Sequence, residues 1–164
     1  MKWIRCTHDG QTFYGILDDD RVTPVRGDPF NGHERRNESL RLADVRIEVP
    51  VIPPTFYCVG LNYVQHIGAE GKNIPAQPDV GYRANNALLA HGQDVLMPAD
   101  ATRVHYEGEL VVVIGKRMKH VRPDEVRAGI LGYTIGNDVS ARDWQASDRT
   151  FWRSKNTDTF KPMG

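Results

Sequence analysis

His105-Tyr106-Glu107-Gly108-Glu109-Leu110-Val111-Val112-Val113-Ile114 is the stretch that decides the fold. Its second half is continuously apolar and rich in β-branched residues, which predicts a strand covered on both faces. Two carboxylates stand directly before it. In extended backbone, residues i and i+2 face the same way. Two like charges on one side repel unless a cation sits between them. Glu107 and Glu109 therefore read either as half of a site for a hard divalent cation, Mg²⁺ or Mn²⁺, or as two solvated carboxylates at a strand end. A second predicted strand, 133–135, runs through Gly136 into Asn137-Asp138. Asp138 could supply a third oxygen ligand, or it could form an Asx turn or helix cap.

Upstream of this stretch, residues 62–71 predict a short helix, with Asn62 as a possible cap and Glu70-Gly71 as its stop. On such a helix His66 and Glu70 are four apart and share a face. A carboxylate can orient an imidazole and raise its basicity, so the pair is a candidate proton-transfer unit, with Tyr63 at the same mouth. An ordinary solvated helix pair is the alternative. Residues 56–61 predict a strand, 72–81 a loop and 95–97 another strand ended by Pro98. Downstream, Pro123 opens a predicted short helix. Lys155, within Lys155-Asn156-Thr157-Asp158-Thr159, could hold a carboxylate or a developing enolate, or lie on the surface. Cys58 reads as a core residue of its strand.

The first 50 residues predict a separate small β-rich unit. Asp9-Gly10 between two short apolar runs signals a hairpin, Asp18-Asp19-Asp20 a second turn, and 21–25 a third strand. Residues 26–37 read as a surface excursion. Pro50, Pro53 and Pro54 exclude helix and mark a boundary, dividing the chain into 1–50 and 51–164.

Composition excludes several classes. Lys plus Arg and Asp plus Glu are 21 each in 164 residues, for a net charge of 0. That balance does not suit a general nucleic-acid or anionic-membrane binder. No apolar run approaches the ~20 residues needed to span a bilayer. Cys6 and Cys58 form no CxxC pair, so a reducing, cytoplasmic setting is expected.

Four ordered segments together carry a resemblance. They are Gly60-Leu61-Asn62-Tyr63-Val64-Gln65-His66, His105-Tyr106-Glu107-Gly108-Glu109-Leu110, Gly136-Asn137-Asp138-Val139-Ser140-Ala141-Arg142-Asp143 and the run 155–164. In these the chain resembles the fumarylacetoacetate hydrolase family over residues 56–164, with 1–50 like the small N-terminal domain of many bacterial members. The resemblance implies an α+β fold, a mixed, mostly-β roll, in a chain that stops inside the catalytic domain. It implies a homodimer when complete, and Mg²⁺ or Mn²⁺, with Ca²⁺ possible, held by Glu107, Glu109 and Asp138. His66 becomes the acid/base, with Glu70 one residue beyond the family's usual partner position, here Ala69. Lys155 becomes the carboxylate or enolate contact. Tyr63, Arg83 (where the family more often has lysine), Arg142 and Thr159 become substrate-binding residues. The implied chemistry is hydrolysis of a C–C bond in an acylpyruvate-type 2-oxo acid. Its alternatives are isomerisation or decarboxylation of 2-hydroxy-dienoate or oxaloacetate-type acids in aromatic catabolism. A non-catalytic metal- or metabolite-binding protein is the rival class.

Overall fold

The structure, a computed structural model, describes residues 1–69 and 71–164. The N-terminal part is a six-stranded antiparallel sheet built on β1 (Lys2–His8), β2 (Gln11–Asp18) and β3 (Arg21–Asp28). Asp9 and Gly10 both adopt positive φ, 47° and 74°. That geometry turns a two-residue hairpin with the twist of its strands. The stretch read as a surface excursion contains a strand, β4 (Gly32–Arg35), paired with the end of β3. All four of its residues are exposed, so no apolar alternation marked it. Two short strands, β5 (Leu40–Arg41) on β3 and β6 (Arg46–Ile47) on β1, complete the sheet. Ile4, Cys6, Val22 and Val45 form its core.

Beyond the prolines, β7 (Phe56–Gly60) pairs antiparallel with β8 (Asp79–Arg83), so the predicted loop gives way to strand at 79. Between them lies the short helix α1 (Val64–Ala69). A four-stranded sheet runs in the order β11-β12-β14-β9. Its members are β9 (Leu88–Ala90), β11 (Gly108–Ile114), β12 (Ile130–Asn137) and β14 (Lys161–Met163). β10 (Val104–His105) pairs separately with β13 (Ser140–Ala141). The helices α2 (Arg142–Gln145) and α3 (Trp152–Asn156) follow. Ala101, Val139, Ala141 and Phe160 form the core beneath them. The helix expected at Pro123 is a 3-10 turn at Val126–Gly129.

Two strand expectations need correcting. Residues 95–97 are not a strand; instead the Leu96 N–H donates to Thr159 Oγ1 at 2.9 Å. The strand after Gly108 is present but is not covered on both faces. β11 lies at the sheet edge, and Leu110, Val112 and Ile114 are 62%, 43% and 52% exposed. With Tyr133 and Ile135 on β12 they form one apolar face open to solvent. A continuous apolar run reports what a strand could bury, not what lies against it.

Candidate functional site

Three of the four sequence segments, those at 105–110, 136–143 and 155–164, are drawn together by a short run of hydrogen bonds. Asp138 N–H donates to Glu107 O at 2.9 Å, and Glu107 N–H to Asn137 Oδ1 at 2.8 Å. One residue on, Val139 N–H donates to Phe160 O at 3.1 Å. These bonds fix the residue preceding β11, the residue following β12 and the entry to β14 side by side. Helix α3 is set by Asp148, whose Oδ2 accepts from both the amide and the hydroxyl of Ser154. That places Lys155 against the same point.

A cavity of about 420 Å³ opens there. Tyr63, His66, Arg83, Glu107, Glu109, Asp138, Arg142 and Lys155 all line it, as do Leu61 and Phe151. Thr159 does not: its hydroxyl faces Leu96 and ties down the 95–97 segment. Glu70 lies outside the described residues.

Asp138 is the electrostatic centre. Arg83 grips it with a fork, Nε to Oδ1 and Nη2 to Oδ2, both 2.8 Å. Lys155 Nζ donates to Oδ2 at 2.7 Å, and Lys161 Nζ lies 2.9 Å from Oδ1. Burial pushes the Asp138 carboxyl up, but the Arg83 hydrogen bonds and the charges of Lys161, Lys155 and Arg83 outweigh it and hold the group well below the usual carboxylate range. Lys155 also donates to Glu107 Oε2 at 2.7 Å, so one ammonium bridges two carboxylates. Arg142 closes on Glu107 Oε1 and donates to Gln145.

Arg83, expected from the resemblance as a substrate-binding residue, lines the cavity but is turned onto Asp138. Its remaining nitrogen donates to Tyr82 O at 3.0 Å, so all three are engaged. Arginine gives Asp138 a two-point grip that a lysine's single charged point does not provide.

Two contributors were missed from sequence. Lys161, 2% exposed, also donates to the carbonyls of Val139 and Phe160. Burial pulls its ammonium down to about 8, with Asp138 opposing. A lysine inside Phe160-Lys161-Pro162-Met163 was the available signal, because a cation in an apolar strand demands a partner. Cys58 is not simply core: its thiol sits 3.5 Å from Asp138 Oδ2. Burial, then the Asp138 charge, pushes that thiol up to about 11, which keeps its proton available for donation.

Among the described residues, no three His, Cys, Asp or Glu side chains converge as a metal cluster. Glu107, Glu109 and Asp138 all line the cavity, with the oxygens of Glu107 and Asp138 turned onto side-chain cations. The donor set still suits a hard divalent ion in kind, being three carboxylates on one cavity. Burial lifts Glu109 above its ordinary 4.5; the Tyr63 hydroxyl opposes this, and the charges of Asp138 and Glu107 add to it. A cation between them would relieve that strain.

A stability test follows from the sign of this shift. The native state holds the Glu109 proton more tightly than the unfolded chain, so the ionised form costs stability as pH rises above about 4.5. Without added metal, Glu109→Gln should raise Tm at pH 7 and leave it unchanged at pH 4. An equal shift at both pH values in thermal melts would assign the effect to packing instead.

The pattern described as fumarylacetoacetate (FAA) hydrolase C-terminal matches residues 55–164, and that described as Rv2993c-like, N-terminal, matches residues 1–50. Protein Rv2993c of Mycobacterium tuberculosis is 44% identical over 136 residues, 83% of this chain and 51% of that protein. The mitochondrial oxaloacetate tautomerase Fahd2a of Rattus norvegicus is 35% identical over 113 residues, 68% of this chain and 36% of its own. A crystal structure of 5-carboxymethyl-2-hydroxymuconate delta-isomerase from Mycobacterium smegmatis superposes with a TM-score of 0.90 at 35% identity, covering all of this chain and 65% of that one. The chain spans about half the length of the first curated relatives it matches. Among the described residues, no helix is long and apolar enough to cross a membrane.

Proposed function

Because this chain belongs to the fumarylacetoacetate hydrolase family, we propose that it moves a proton on a small 2-oxo or 2-hydroxy acid, as an isomerase or tautomerase. The observation that carries this reading is the cavity itself. It sets an imidazole, His66 on α1, in the same space as the cation-rich wall of Lys155 and Arg142. The two relatives named above for their reactions, an isomerase and a tautomerase, both shift protons on acids of this class. Hydrolysis, the family's namesake reaction and the narrow favourite from sequence, needs in addition a placed water.

Proton transfer requires little machinery. His66 takes the proton from the carbon beside the carbonyl and returns it at another position, so no bond to a leaving group breaks. Negative charge gathers meanwhile on the 2-oxo oxygen, where Lys155 supplies a fixed positive charge. Arg142 is the substrate carboxylate's partner, a role a planar guanidinium suits. A Mg²⁺ or Mn²⁺ ion held by Glu107, Glu109 and Asp138 would supply Lewis-acid stabilisation of that oxygen. Asp138 itself is kept in place by Arg83 and Lys161.

The test is deuterium exchange. With a 2-hydroxy-2,4-dienoate in D₂O and Mg²⁺, NMR should show enzyme-dependent deuterium at the carbon beside the carbonyl, with the carbon skeleton intact. Release of pyruvate would instead identify a C–C hydrolase. Binding without either change would identify a non-catalytic binder.

A further inference from the structure

Leu61 and Phe151 share an unusual conformation. Both sit in the left-handed backbone region, at φ 48° and 54°. Bulky side chains rarely adopt it, because Cβ crowds the following carbonyl. The described non-glycine residues that share positive φ are Asp9, Asp19, His120 and Thr159. None of these is a large apolar residue, and none lines the cavity. Leu61 and Phe151 both line it, from unrelated elements: the turn after β7 and the residue that enters α3. Glycine would make either turn without strain. Strain held at a cavity wall points to a task for the side chain that bears it.

The remainder of the cavity suggests the task. The polar groups gather around Asp138, Glu107 and Lys155, which mark the polar end of the cavity. The volume, about 420 Å³, lies in the range of roughly 300–1,000 Å³ typical of pockets that take ligands far larger than a three-carbon acid. Phe151 keeps 39% of its surface exposed, so its ring is available to a ligand.

We propose that Leu61 and Phe151 are specificity-determining residues that grip an apolar carbon tail extending from the acid headgroup. This rests on the 2-oxo-acid reading above and names the tail that reading leaves open. It separates acids with an extended hydrocarbon chain from short acids that fill only the polar end.

The experiment uses the full chain, calorimetry with pyruvate and with 2-oxohexanoate, and thermal melts of three variants. Phe151→Gly should weaken 2-oxohexanoate at least tenfold and pyruvate less than twofold, while Tm rises by about 2–4 °C as the left-handed strain is released. Phe151→Ala removes the ring but keeps a Cβ, so it should lose the tail preference without the rise in Tm. Leu61→Gly should repeat the Phe151→Gly pattern. Equal weakening of both acids, or none, overturns the tail grip while leaving the 2-oxo-acid reading in place. A wild-type chain that binds neither acid overturns both. A fall in Tm in both glycine variants overturns the assignment of strain.

Discussion

Asp138→Ala is expected to lower Tm by roughly 6–20 °C, from ~3–5 kcal/mol for breaking a buried ion pair at ~2–4 °C per kcal/mol in a chain of this size. The reason lies in what stays behind. Arg83, Lys155 and Lys161 converge on this one carboxylate, and their side chains are 6%, 8% and 3% exposed. Without it, Lys155 keeps Glu107 and Lys161 keeps two carbonyls, but the Arg83 fork loses both of its acceptors on Asp138. Desolvated cations repel one another at short range. Asp138→Asn should fall between, since it retains one acceptor oxygen without the charge. The cost must also depend on pH. Because the native carboxyl is held well below its ordinary 3.8, its contribution is complete at neutral pH and fades as the pH drops below that value, where the unfolded chain takes up the proton first. At pH 3 the wild type should therefore have lost part of its advantage over the variant. A Tm change under about 2 °C at pH 7 would mean that water reaches the cluster and screens it as at a surface.

His66→Ala is expected to slow deuterium exchange by roughly 10²–10⁴-fold, the range for losing a positioned acid/base. Mg²⁺ affinity, read by calorimetry, should move less than twofold, because His66 lies on α1 while Glu107 precedes β11, Glu109 lies within it and Asp138 follows β12. Tm should change little, since the side chain is exposed. This combination separates a chemical role from a structural one. Exchange at the wild-type rate would remove His66 from the mechanism and leave the cation-rich wall as the source of any acceleration.

Much of the architecture was legible where local chemistry is strong. Asp9-Gly10 declared its turn because few residues adopt that backbone cheaply. The run from Leu110 to Ile114 declared a strand through side-chain shape. What failed was information about neighbours. β4 carries Gly32-His33-Glu34-Arg35, with no apolar alternation, and exists because β3 offers it hydrogen bonds. Val95-Leu96-Met97 has the composition of a strand but finds Thr159 in place of a sheet partner. At the site, residue types were readable and pairings were not. Glu107, Asp138 and Lys155 could be picked out one by one, and Arg142 only through the family resemblance. That Lys155 spans two carboxylates, that Arg83 serves Asp138, and that Lys161 completes the group depend on segments far apart in the chain.

The pairing of β9 with β14 bears on how the molecule comes into being. It is parallel, Leu88 with Lys161 and Ala90 with Met163, and nearly half the chain lies between the partners. Closing so large a loop is slow relative to a hairpin such as β1–β2. During synthesis the N-terminal sheet can be complete while Lys161 is still unmade. Asp138 can meet Arg83, which precedes it in the chain, before the Lys161 ammonium has been made. The β9–β14 pairing is therefore a late contact rather than part of the folding nucleus, and changes at β14 should register chiefly as faster unfolding, with the rate of folding little altered.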